Sequence, residues 1–112
     1  MIEARFPLPH VEATSQYAMT INGRSTIVAN RELLCCNLSE GAVILDLKSG
    51  VYYGLDEVGT YIWAFIQEPR VVSDIATAVL EEYAVDPERC EQDLKQLFFE
   101  MTERNLIEVR NE

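Results

Sequence analysis

The chain has 112 residues, of which 48% are hydrophobic and 25% charged, and its formal net charge is −10 at pH 7. That length supports one domain with its own core, and the composition is that of a globular chain, not a disordered one. The acid excess works against nonspecific association with a phosphate backbone, and no apolar run approaches the length of a membrane span.

The N-terminal stretch MIEARFPLPHVEATSQ carries Pro7 and Pro9 and has little periodicity. It lacks the basic start and apolar core of a secretory signal, so a cytoplasmic protein is expected. Residues 1–24 read as an arm, flexible or folded into a short hairpin, and residues 25–112 as the domain. In YAMTINGRSTIVA the Asn22-Gly23 step predicts a hairpin turn with both residues at positive φ. RELLCCNL (31–38) predicts a strand, with Cys35 and Cys36 on opposite faces. With Cys90 these make three cysteines. An odd count without metal-ligand spacing argues against a disulfide framework or a zinc site, and leaves buried free thiols in a reducing compartment as the expectation. The only histidine, His10, lies in the arm. A nucleophilic cysteine would therefore lack a basic partner.

AVILDL (42–47) predicts the clearest strand, too apolar on both faces to be half exposed. Lys48-Ser49-Gly50 then makes a three-residue loop with Gly50 in the left-handed position, and VYYGL (51–55) returns antiparallel. Val51, Tyr53 and Leu55 share one face of that strand, and Tyr52 and Gly54 the other. Asp56 caps a helix that places Val58, Ile62, Phe65 and Ile66 on one face, with Trp63 at its margin, and ends at Pro69. A second helix over about 72–83 buries Ile75, Ala76, Val79, Leu80 and Tyr83. A third starts with Asp86 as cap and Pro87 in its first turn and runs to about Arg104. Its inward stripe is Cys90, Leu94, Leu97, Phe98 and Met101, whereas Phe99 lies about 140° from Leu94 and should be exposed. Asn105 suits a left-handed stop, and LIEV closes the chain as a short strand. The order predicts an α+β, winged helix-turn-helix-like fold: an N-terminal three-stranded antiparallel sheet, three helices and a short C-terminal strand.

The segments ILDLKSGVYYGLDEVGTYIW, EPRVVSDIATAVLEEYAVDPE and DLKQLFFEMTERNLIEV, in this order and spacing, resemble the PqqD-like family. Its members are recognition elements that bind the leaders of ribosomally made, later modified peptides. The stand-alone leader-binding proteins of lasso-peptide pathways are the most similar, because they share the tyrosine-rich hairpin and the helical tryptophan. The likeness covers roughly residues 25–110. It implies a three-stranded sheet against three helices, with the leader adding as an extra strand beside the third strand, in a groove shared with the third helix. On this chain the implied peptide-binding residues are Val51, Tyr52, Tyr53, Gly54 and Leu55, with Cys90, Asp93, Leu94, Lys95, Leu97 and Phe98 opposite. Val71 stands where the family often has a threonine, so a side-chain cap is lost there. Asn105 stands where the family usually has glycine, and asparagine tolerates the conformation.

Elementary chemistry agrees with strand addition. An edge strand offers unpaired N–H and C=O groups, main-chain bonds supply affinity, and side-chain pockets supply specificity. The implied partners are a precursor's leader and a separate modifying enzyme, such as a leader protease. No nucleic acid, membrane, cofactor or metal is expected, and a homodimer is left open. The alternative, a winged-helix DNA-binding regulator, would need a basic recognition helix. Here Arg89, Lys95 and Arg104 stand against Glu88, Glu91, Asp93, Glu100 and Glu103. An enzyme ranks last, since no phosphate loop, metal cluster or Ser/His/Asp set is legible.

Overall fold

The computed structural model describes residues 3–6, 21–39 and 41–111. Strands β1 (Glu3–Phe6), β3 (Leu34–Leu38), β4 (Gly41–Asp46) and β5 (Val51–Leu55) form one sheet in the order β1-β5-β4-β3. Strands β2 (Thr26–Ala29), β6 (Arg70–Val71) and β7 (Ile107–Arg110) form a second, in the order β6-β2-β7. The helices are α1 (Glu57–Phe65), α2 (Val72–Glu82) and α3 (Pro87–Glu103). The expected antiparallel sheet is β3-β4-β5, and the expected three helices and closing strand follow it. The parallel strand β1 and the second sheet add to that plan.

The β4–β5 hairpin sets the two faces of the first sheet. Ile44 pairs with Tyr53 and Ala42 with Leu55, and all four side chains are buried toward the helices. Val43 and Leu45 lie opposite Gly54 and Tyr52 on the outer face and are only half-buried. β4 is therefore less enclosed than its composition suggests. Its loop is four residues, Leu47–Gly50, because Leu47 leaves the sheet and is 65% exposed. Gly50 closes it at φ 73°, donating its N–H to the Asp46 carbonyl at 2.9 Å. Gly41 is constrained differently. A Cβ there would stand 2.1 Å from the Leu55 carbonyl oxygen, so only glycine lets β4 start beside the end of β5.

Strand β3 starts three residues later than expected, since the Asn30 side chain accepts the Glu32 N–H at 3.0 Å and holds residues 31–33 in a turn. Every residue of β3 is exposed, including Cys35 and Cys36, which corrects the expectation of buried thiols there. The cause is position: β3 ends the sheet, and its side chains lie beyond the reach of the helices. Cys90 alone is buried.

The Asn22-Gly23 turn also differs. Neither residue has positive φ. Instead Asn22 opens the turn, accepting the Ser25 N–H on its carbonyl at 3.0 Å and the Arg24 N–H on its side chain at 2.8 Å. An asparagine side chain used this way replaces the mirror-image turn of a two-residue hairpin. The strand that follows, β2, pairs with β6 and β7. The upstream flank, residues 17–20, lies outside the described residues.

This turn repairs a defect in α2. Val71 gives α2 no side-chain cap. The first N–H groups go to backbone carbonyls of the turn instead, Val72 to Ser25 at 2.9 Å and Ser73 to Gly23 at 3.0 Å. Ser25 is fully buried and is itself satisfied, accepting from the Asn22 N–H and donating to the Asn111 side chain. The other helices are capped as expected: Asp56 accepts from Gly59 at 2.8 Å and Asp86 from Glu88 at 3.0 Å. Asn105 adopts φ 58° after α3.

The core gathers the inner faces of both sheets and all three helices. The α3 stripe is buried as expected. Three helical positions differ. Trp63 is buried, not marginal, and Leu80 is 37% exposed because it lies about 140° around α2 from Ile75. Phe99 is half-buried and packs on the core cluster, contrary to the exposed position expected. Tyr83 is half-buried edge-on to Tyr61, with ring centroids 5.5 Å apart.

Two measurements check this description. Gly41→Ala should cost at least about 2 kcal/mol in urea unfolding, because backbone must move to relieve the clash. Gly50→Ala, where nothing lies within 4 Å, should cost only about 1–2 kcal/mol for the left-handed backbone. A thiol reagent should modify Cys35 and Cys36 in the native protein and reach Cys90 only after denaturation. Equal labelling of all three would contradict the packing of α3.

Candidate functional site

Strand β5 presents Val51, Tyr53 and Leu55 to the helices and Tyr52 and Gly54 to the outer face. Tyr53 and Leu55 are buried, so they fix the strand against the core more than they offer surface. Burial pushes the Tyr53 phenol up, Asp46 adds to this, and the Arg104 guanidinium opposes it. Arg104, the cap residue of α3, thus lies within electrostatic reach of β5.

Across from β5, the α3 residues divide by flank. Cys90, Leu94, Leu97 and Phe98 are buried and hold the helix in place. Asp93 is exposed and lies 3.7 Å from Arg89. At 100° per residue, Asp93, Leu97, Glu100 and Arg104 fall within about 60° of one another, on one flank of the helix. Lys95 lies about 180° from Arg104 by the same count. It pairs with Glu91 at 3.7 Å, and a Cβ on Gly23 would meet the Glu91 carboxylate at 3.0 Å. Lys95 therefore belongs to the flank beside the 22–25 turn. Asp93 and Leu97 thus share the flank of α3 that carries Arg104, and Lys95 lies on the other.

A polar ladder runs along α3 to its C-terminal end. Gln96 donates to Glu100 Oε1 at 3.0 Å, and Arg104 Nη1 donates to Glu100 Oε2 at 2.9 Å. Gln96 Oε1 is buried without a hydrogen-bond partner among the described residues. The i, i+4 spacing of Gln96, Glu100 and Arg104 is a sequence signal for such a ladder, although it does not by itself say which flank meets the sheet.

The edge of β5 away from β4 is not bare. Strand β1 pairs with it in parallel, with Glu3 opposite Tyr52, Ala4 opposite Tyr53, Arg5 opposite Gly54 and Phe6 opposite Leu55. β5 is an inner strand, where the hairpin alone suggested an edge.

Burial, reinforced by Asp93 and Glu91, pushes the Cys90 thiol up, so it stays protonated at neutral pH and is a poor nucleophile. Among the described residues no three His, Cys, Asp or Glu side chains are grouped to hold a metal ion, and no helix is long and apolar enough to cross a membrane. An open cleft of about 580 Å³, lined by Val28, Arg31, Pro69, Asn105 and Glu108 among others, sits on the second sheet, away from β5.

Two solved structures share this fold. One is "TbiB1 in Complex with the TbiA(beta) Leader Peptide", with TM-score 0.68 and 28% identity, covering 76% of this chain and 99% of that one. The other is "Lasso peptide synthetase B1 complexed with the leader peptide", with TM-score 0.65 and 23% identity, covering 73% of this chain and 96% of that one. The comparison with curated proteins finds no match. Residues 41–107, which run from the start of β4 through α3 into β7, match the family described as coenzyme PQQ synthesis protein D, and the chain belongs to this PqqD family.

Proposed function

We propose that the protein binds the leader of a ribosomally made precursor peptide by strand addition at β5, beside α3, and presents the core peptide to a separate maturation enzyme. The observation that carries this reading is that the β5 edge accepts a further strand, in the register of β1. Membership of the PqqD family and the likeness to a leader-peptide complex at 28% identity support it. Backbone pairing supplies affinity that is indifferent to sequence, and the α3 flank supplies the side chains that discriminate. The contribution to maturation is effective concentration and orientation, not bond making. A protonated, buried Cys90 fits that division of labour. For a lasso-type precursor, the enzyme served would be a leader protease. A DNA-binding role fits poorly, because the acidic residues of α3 and the net charge of −10 both repel a phosphate backbone.

Titration with synthetic leader candidates should move the amide resonances of residues 51–55 and of the Asp93–Arg104 flank most. Labelled duplex DNA should not bind at physiological salt. Shifts centred on β3 or α2 would misplace the groove, and tight, salt-sensitive DNA binding would sink the reading. The flanks make a sharper comparison. Asp93→Ala should weaken leader binding a few-fold, the scale of an exposed charge at an interface rim. Lys95→Ala, on the opposite flank, should leave it unchanged.

Incubating purified protein with precursor and candidate cofactors should leave the precursor mass unaltered in mass spectrometry. A mass change produced by the protein alone would make it an enzyme.

A further inference from the structure

We infer that residues Glu3–Phe6 are a tethered competitor for the β5 edge, so that an incoming peptide strand must displace them. The inference rests on the proposed function only in taking that edge to be the leader's place. The geometry is on the backbone. β1 aligns with Tyr52–Leu55, four of the five residues of β5, and so takes up the main-chain groups on the side away from β4. Each N–H or C=O at that edge serves one strand at a time, which makes occupancy by β1 and by a second strand mutually exclusive.

The strand is built to be displaceable. It is four residues long, it is followed at once by Pro7, which has no N–H to extend the ladder, and it is parallel, the slightly weaker pairing per residue. Its advantage is covalent attachment. A short connection holds a segment at a local concentration on the order of millimolar, so even weak pairing keeps the edge covered. A leader that pairs over a longer stretch and also meets the α3 flank outcompetes it. A short apolar segment from elsewhere does not. The tether thus lowers affinity for every strand by one factor and leaves the edge covered when no leader is present.

The size of the factor follows from occupancy. If the arm covers the edge nine-tenths of the time, uncovering it raises the affinity of any competing strand about tenfold. The variant that uncovers it in the full-length chain is the double substitution Ala4→Pro and Arg5→Pro. Adjacent residues of a strand point their N–H groups to opposite sides, so one of the two donates toward β5 whichever way the ladder is phased, and proline removes it.

The experiment compares this variant with the parent chain by three readouts. Hydrogen exchange of those amides of residues 51–55 that point toward β1 should accelerate about tenfold in the variant, with the amides that point toward β4 and those of α3 unaffected. A synthetic peptide of this chain's first eight residues, added at millimolar concentration, should shift the same amides in the variant and hardly at all in the parent. A synthetic leader should bind the variant about tenfold more tightly. Unchanged exchange at 51–55 would overturn the inference, as would equal leader affinity for the two proteins. Faster exchange with no leader binding to either protein would sink the leader-binding reading and leave the arm's hold on the edge established, so the two failures are distinguishable.

Discussion

The close approach of Gly41 to the Leu55 carbonyl fixes the geometry from which the rest follows. It brings the first residue of β4 against the last residue of β5, where Asp56 takes the chain into α1 with no intervening loop. The hairpin cannot slide by one residue without exchanging its faces, which would drive Tyr53 and Leu55 out of the core and bring Tyr52 in. Strand phase, helix entry and the side of the sheet that meets α3 are thus set together. This is why a tight aromatic hairpin leads straight into a helix: the junction fixes which face of β5 meets the core and where α1 begins.

A second dependence links the segment before β3 to the helical half. α2 starts without a side-chain cap, and its orphan N–H groups are taken by the carbonyls of Gly23 and Ser25. Ser25 is in turn held by Asn111 near the end of the chain. Ala29 donates to the Ile66 carbonyl and Asn30 to that of Leu106, both at 2.9 Å. Residues 21–30 therefore act as a clasp across the ends of α1, α2 and α3. Neither the loss of a capping threonine nor the asparagine at 105 weakens the frame that presents β5.

Much of this is legible in the sequence wherever the determinant is local. Asp56, Asp86-Pro87, Gly50 and Asn105 announce helix starts, a turn and a helix stop through their own conformational preferences, and the structure has each in that role. The α3 stripe is read from spacing alone. What escapes is decided by distant partners. Cys35 and Cys36 look like core residues until β3 is known to end the sheet. Phe99 faces away from the stripe and is nevertheless half-buried. β2, β6 and β7 are short segments whose pairing joins residues 26 and 110, and nothing near either reveals the other. At the candidate site, the β5 strand and the buried stripe of α3 could be read from spacing, but the placing of Lys95 beside the 22–25 turn depends on where Glu91 meets Gly23. The pairing of Glu3–Phe6 along β5 has no periodic signature, because four residues beside two prolines are too few to show one.

The exposed pair on β3 has a practical consequence. Cys35 lies beside Ile44 on the helix-facing side of the sheet, and Cys36 beside Val43 on the outer side. A fluorophore or spin label on one or the other would sit one residue apart along the chain but on opposite surfaces of the same sheet. Two otherwise identical reporters could then distinguish a partner that approaches the outer surface from a change transmitted through the helices, with the labelled strand two places from β5 in both cases.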